Sequence, residues 1–351
     1  MKTAQTVAGL GLIALVALAL WIWREAHVFL NTPPQSPGVV VYFDVAPGAN
    51  DIAAELAKKG IVTDAEKFSW LTRLTRQDKR LQAGYFALNT GWLPEKVLDE
   101  LVNGRPALYR ITLPEGLTWW QTGRLLESAG FVRFEDFRDM IADVDFLRRY
   151  GIPFTTAEGF LMPDTYLLKK PDGQDVPDGT DERVAAWSVA GRLVDNFWRK
   201  AASAWPDKIK PDTTHLKQWV ILASIVEKET ALDAERARVA GVYTNRLEKR
   251  MLLQADPTVI YGLGAAFDGN LRRRHLDDAA NLYNTYQRLG LPPGPICSFG
   301  VAALSAAVRP ERHNFLYFVA VQDGGAHEFT TNLTDHNRAV QRYLQNRRSA
   351  R

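Results

Sequence analysis

With 351 residues the chain is too long for one small core and long enough for two or three domains. Hydrophobic residues make up 46% and charged residues 24%, a balance that excludes a disordered or fibrous chain. A net charge of +3 and a pI near 8.8 suit anionic surfaces but are too small an excess for nucleic acid, and the single cysteine, Cys297, excludes an intramolecular disulfide.

From Thr3 to Trp23 there is no charge. At about 1.5 Å per residue this stretch reaches roughly 31 Å, the thickness of a bilayer core. Trp21 and Trp23 stand where indoles favour the interface, and Arg24 and Glu25 end the apolar run. Residues 1–30 therefore read as a short tail and a transmembrane anchor that meets the lipid bilayer through residues 3–23. Ala17-Leu18-Ala19 also has the small-x-small form of a leader cleavage site, which leaves a cleaved leader open; continuation of the run to Trp23 favours a retained anchor. Lys2 and Arg24 nearly balance, so flanking charge does not set the orientation. Residues 31–38, rich in proline, form an extended linker.

The body that follows is α+β. Val39 to Val45 is β-rich, Pro47-Gly48 predicts a turn, and Asp51 to Lys59 has helical spacing closed by Gly60. Thr63 or Asp64 caps a second helix bearing Phe68 and Leu71. Ala83 to Leu88 reads as a strand and Leu93 to Val102 as a helix. The opening grammar recurs about 70 residues on: a strand at Arg110 to Leu113, a turn at Pro114-Glu115-Gly116, helices at Thr118 to Ala129 and Phe134 to Ile141, and Gly130-Phe131-Val132 in the place of Gly60-Ile61-Val62. These are two α+β modules, 39–106 and 107–168. A Pro/Gly/Asp-rich linker, 169–182, leads to a mainly helical domain over 183–351. Helices are predicted at Arg183 to Ala204, Leu216 to Ala231 and Ala234 to Lys249; after Met251 the pattern turns loop-rich, with a strand at Phe315 to Val321 and a last helix from Asn332 to Gln345.

One helix carries the chemistry. Trp219 to Val226 is apolar on every face and ends in Glu227-Lys228-Glu229-Thr230. Glu229 lies three, four and seven residues after Val226, Ile225 and Leu222, so its carboxyl sits above a buried stripe, where desolvation favours the protonated acid. From the helix alone the same residue could simply leave the core and pair with Lys228 or an arginine. Glu227 projects toward Ala223 and Ser224.

The downstream motifs decide between these. Asn245-Arg246-Leu247, Leu252-Leu253-Gln254-Ala255-Asp256-Pro257-Thr258, Tyr283-Asn284-Thr285-Tyr286, Gly290-Leu291-Pro292-Pro293-Gly294-Pro295 and Gly325-Ala326-His327-Glu328-Phe329-Thr330-Thr331-Asn332-Leu333 with His336-Asn337 resemble the endolytic murein transglycosylases of the MltG (YceG-like) family. Upstream, Glu158-Gly159-Phe160-Leu161-Met162-Pro163-Asp164-Thr165-Tyr166 fits the same pattern. The resemblance implies LysM-like modules, a lysozyme-like catalytic domain, Glu229 as catalytic acid/base, and cleavage of the bond between N-acetylmuramic acid and N-acetylglucosamine to leave 1,6-anhydro ends. It further implies substrate contacts from Gln254, Asp256, Tyr283, Asn284, Tyr286 and Asn332. Peptidoglycan strands and wall synthases are the implied partners, and the outer side of a bacterial cytoplasmic membrane the implied location.

One carboxyl suffices for lytic cleavage, whereas hydrolysis needs a second. Asp256 is the nearby acid, and its place before Pro257 predicts a turn-capping role. A hydrolytic muramidase and a non-catalytic wall-binding scaffold are the two rival readings. No metal or cofactor is expected: His313, His327 and His336 lack paired spacing, and Gly262-Leu263-Gly264 lacks the rest of a phosphate loop. Ser224 reads as a packed small residue, Arg272 to Arg274 as a solvated loop, and Trp119, Trp120 and Trp219 as core.

Overall fold

The computed structural model describes residues 2–45, 51–170, 180–321 and 325–349, with the backbone alone for 2–14, 180–182, 266 and 348–349. The turn expected at Pro47-Gly48 and most of the 169–182 linker lie outside the described residues. The fold is α+β and mainly helical, and the described residues hold three two-stranded sheets. The chain divides into two compact units, residues 1–110 with 167–169, and residues 111–166 with 170–351.

The first unit opens with helix α1 (Lys2–Asn31). Among the described residues no helix is long and apolar enough to cross a membrane; residues 3–14 of the expected span have no described side chains. Strand β1 (Val40–Val45) pairs antiparallel with β2 (Gly84–Asn89), Phe43 opposite Phe86. Alternation puts Phe43, Val45, Phe86 and Leu88 on the buried face. Helices α2 (Ile52–Lys58), α3 (Ala65–Leu74) and α4 (Pro94–Asn103) cover that face and contribute Leu56, Phe68, Val97 and Leu101 to one core, which Phe29 of α1 joins. Asp64, rather than Thr63, caps α3 by accepting from Lys67 N.

The repeated grammar has a common physical basis. Gly60 and Gly130 sit at φ +68° and +75°, left-handed values that glycine adopts without strain. Each ends a helix with the same pair of bonds: Gly60 N to Ala57 O and Ile61 N to Leu56 O, then Gly130 N to Glu127 O and Phe131 N to Leu126 O. The following apolar residue, Ile61 or Phe131, is buried.

β3 (Tyr109–Leu113) pairs with β4 (Asp164–Leu168), and the second unit takes Ile111–Leu113 and Asp164–Tyr166 of these strands together with helices α5 (Trp119–Ser128), α6 (Phe134–Ile141), α7 (Val144–Arg149), α8 (Thr180–Ala201), α9 (Thr213–Glu229) and α10 (Asp233–Glu248). Every residue from Val220 to Val226 is buried, so α9 is the central rod of this unit. The loop-rich region expected after Met251 contains two more substantial helices, α11 (Asp256–Leu263) and α13 (Val301–Val308), besides the single-turn α12 (Arg273–Leu276). α13 escapes periodicity analysis because it is apolar nearly all round, as a helix packed against α9 must be. Strands β5 (Tyr317–Ala320) and β6 (His327–Thr330) and helix α14 (Leu333–Ser349) complete the unit.

Two smaller expectations change. Trp119, Trp120 and Trp219 are half-buried rather than core. Arg272 and Arg273 are held by Asp268 and Asp277 at 2.7 and 3.0 Å. Ser224 is the packed residue expected: fully buried, it donates to Ile221 O and accepts from Ile296 N, so its hydroxyl ties α9 to the loop before α13.

Candidate active site

Glu229 is the last residue of α9, and Thr230 turns to extended backbone. Its side chain is half-buried at the wall of a cleft of about 380 Å³. The apolar rod beneath holds the carboxyl away from water, and this burial pushes its pKa up to about 7; the charge of Asp256 adds to the rise, while the Tyr243 hydroxyl and Arg246 oppose it. Tyr243 Oη donates to Glu229 Oε1 at 2.8 Å. Because Oε1 accepts that bond, the acidic proton of neutral Glu229 resides on Oε2, free of Tyr243.

Glu227, two residues earlier, is spent on structure. It pairs with Arg236 at 3.0 Å and accepts from Gly300 N. Helix geometry turns the two glutamates toward different surroundings, and only Glu229 meets the cleft.

Gln254, Asp256 and Tyr286 line the same cleft. Gln254 is exposed and held at φ +52°, a strained value for a residue with a Cβ, and its N–H donates to Thr285 O. The two following residues set up α11: Ala255 N donates to Thr285 Oγ1, and Asp256 begins the helix with Pro257 next to it. The loop-capping role read for Asp256 is thereby corrected. Proline lacks an N–H and suits a first helical turn, so the Asp-Pro pair starts a helix instead. Asp256 Oδ1 accepts from Tyr286 Oη at 2.6 Å.

Tyr283, Asn284 and Asn332 do not line this cleft. Asn284 is fully buried; its amide donates to the carbonyls of His275, Leu276 and Asp278, and its Oδ1 accepts from Tyr286 N. It therefore shapes the loop that presents Tyr286. Tyr283 packs against Tyr261 with ring centroids 4.8 Å apart and the rings tilted by 55°, and it borders a separate cavity. Asn332 precedes α14, where it exchanges bonds with Asp335.

Two further residues of the cleft wall have no role assigned to them in the sequence reading. Tyr243 is nearly fully buried on α10, and a buried tyrosine hydroxyl requires a partner, so its presence on a helix following α9 was the available signal. Arg246, one turn later, donates to the carbonyls of Leu252, Leu253 and Leu316 and lies 5.0 Å over the Tyr317 ring. It anchors the backbone just before Gln254. His336 adds to the wall, stacked on Tyr317.

Comparison with known proteins places this geometry in context. The sequence profile of the YceG-like family matches residues 43–342. A Bacillus subtilis endolytic murein transglycosylase is 27% identical over 313 residues, covering 84% of this chain and 81% of that protein. Streptococcus pneumoniae proteins of the same name are 27% identical over 323 residues, and the match spans 84% of this chain and 56% of theirs. A crystal structure of a YceG-like protein from Listeria monocytogenes aligns with a TM-score of 0.55 at 26% identity, over 85% of this chain and 98% of that one.

Proposed function

Because the chain belongs to the YceG-like family, we propose that it is an endolytic murein transglycosylase in which Glu229 is the single acid/base. The observation that carries this is a carboxyl with a pKa near 7 at the end of a buried helix, hydrogen-bonded on one oxygen by Tyr243 and open on the other.

The chemistry follows from that geometry. Glu229 Oε2 gives its proton to the glycosidic oxygen as the bond from the N-acetylmuramic acid anomeric carbon breaks, so N-acetylglucosamine leaves with a hydroxyl. Tyr243 keeps its bond to Oε1 and stabilises the carboxylate just formed. The negative charge of Asp256, held in place by Tyr286, opposes the positive charge developing on the sugar ring. The 6-hydroxyl of the same N-acetylmuramic acid then attacks the anomeric carbon, and Glu229 takes its proton. A 1,6-anhydro ring closes, no water is consumed, and the acid is regenerated. Gln254 and Tyr286, which line the same cleft, orient the N-acetyl and hydroxyl groups in this reading.

The uncharged stretch 3–23 supports reading α1 as a bilayer anchor that holds the catalytic unit on the extracytoplasmic side, where nascent strands emerge. In this reading the β1–β2 unit is a LysM-like wall-binding module, the second unit is lysozyme-like, and wall synthases are neighbours in the membrane. Release or termination of new glycan strands is the corresponding role.

The presence of Asp256 in the cleft favours one second reading, a muramidase that adds water with Asp256 as base or nucleophile. Mass spectrometry of digested murein separates the two, because hydrolysis leaves ends about 18 Da heavier, the mass of the added water, than the lytic products.

A further inference from the structure

The first unit presents a surface that bond cleavage does not use. α1 and α3 are joined by the ion pair of Glu25 with Lys67 at 2.8 Å, and a groove of about 650 Å³ between them is lined by Trp21, Ile22, Phe29, Trp70, Leu71 and Leu74. α3 serves the core through Phe68 and Thr72. Trp70 and Leu74, four residues apart and so on one face, remain 62% and 77% exposed, and Trp21, Ile22 and Trp23 are exposed beside the groove or just before Arg24. An exposed tryptophan and leucine this close together on a well-seated helix mark an interaction face.

The charges around that face indicate its partner. Arg73, Arg76, Lys79 and Arg80 are all exposed, with Asp78 the only acid within the stretch, and among the described residues none of the four cations has a carboxylate partner. Exposed indole and leucine flanked by unpaired cations is the composition of a segment lying in the interface of an anionic bilayer.

We propose that α3 and the turn after it dock on anionic phospholipid, with Trp70 and Leu74 in the boundary between headgroups and acyl chains and the four cations on the headgroups. The proposal rests on the reading of residues 3–23 as an anchor, which brings α3 to the membrane through the Glu25–Lys67 contact. Docking would hold the first unit against the surface instead of letting it swing on its anchor.

The test uses the full chain in vesicles of phosphatidylcholine with or without phosphatidylglycerol. An environment-sensitive fluorophore is attached at Trp70→Cys or Leu74→Cys, with exposed Lys96→Cys as the control; Cys297 is buried and stays unlabelled. With phosphatidylglycerol present, a lipid-borne quencher is expected to quench the labels at 70 and 74 and spare the label at 96. Adding Arg73→Glu and Arg76→Glu is expected to shift the docked-to-free ratio by at least about fivefold per residue. Chains that float with the vesicles while positions 70 and 74 are quenched no more than 96 would overturn the docking and leave the anchor standing. Chains that do not float at all would overturn both. Equal quenching on phosphatidylcholine alone would overturn the anionic partner and with it the proposal.

Discussion

Tyr243 Oη and Glu229 Oε1 lie 2.8 Å apart, and this one bond determines which oxygen of the glutamate carries its acidic proton. Tyr243→Phe keeps the ring against Phe318 and removes the hydroxyl. A hydrogen bond to a charged group contributes about 1.5–3 kcal/mol, so kcat is expected to fall about 10- to 100-fold as the carboxylate formed in the first step loses its donor. The pKa governing activity should rise, because the tyrosine bond lowers it in the wild type. Rates measured across a pH series check both effects; an unchanged profile would contradict the assignment.

Activity itself should fall as pH rises through about 7, since bond breaking begins from the protonated glutamate and its pKa is near that value. A solvent-exposed glutamate of ordinary pKa would place that fall more than two units lower. The initial-rate pH profile distinguishes them.

Glu158 makes a parallel prediction for stability. It is fully buried, accepts from Trp119 N and Gly159 N, and burial pushes its pKa up to about 8. A carboxyl whose folded pKa lies above its unfolded value binds more protons in the folded state, so it costs stability as pH rises from about 4.5 to about 8. The loss is on the order of a few kcal/mol. Glu158→Gln is expected to flatten that part of the Tm-against-pH curve, and a curve as steep as the wild type would contradict the account.

Asn284→Ala separates shape from contact. Removing an amide that serves three carbonyls should lower stability by about 2 kcal/mol. If the residue acts only by holding the Tyr286 loop, KM measured well below the melting temperature should change less than for Tyr286→Phe. The opposite order would return Asn284 to the substrate.

Glu227→Gln leaves Arg236 without its buried partner and should cost about 3 kcal/mol, while folded protein retains activity. Loss of activity without loss of stability would exchange the roles of the two glutamates.

Much of this was legible in the sequence, and for identifiable reasons. Asp51, Asp64, Gly60 and Gly130 punctuate helices through local bonds, so the helices beside them were readable. The apolar run before Glu229 announced a buried rod with a carboxyl at its end. What stayed hidden depends on distant partners. β4 takes its place by pairing with β3 some 50 residues earlier, α13 has no polar face to give a period, and the Tyr243–Glu229 bond joins residues from two helices. Asn284 shows the limit from the other side, because a motif residue looks the same in sequence whether it touches the sugar or supports the residue that does.

The most direct test is Glu229→Gln, which preserves shape and removes the transferable proton. Purified full-length protein is incubated with murein, and 1,6-anhydro ends are counted by mass spectrometry. The account predicts that their rate of appearance falls by about 10²- to 10⁴-fold with the fold intact. Anhydro ends forming at the wild-type rate would contradict the central assignment.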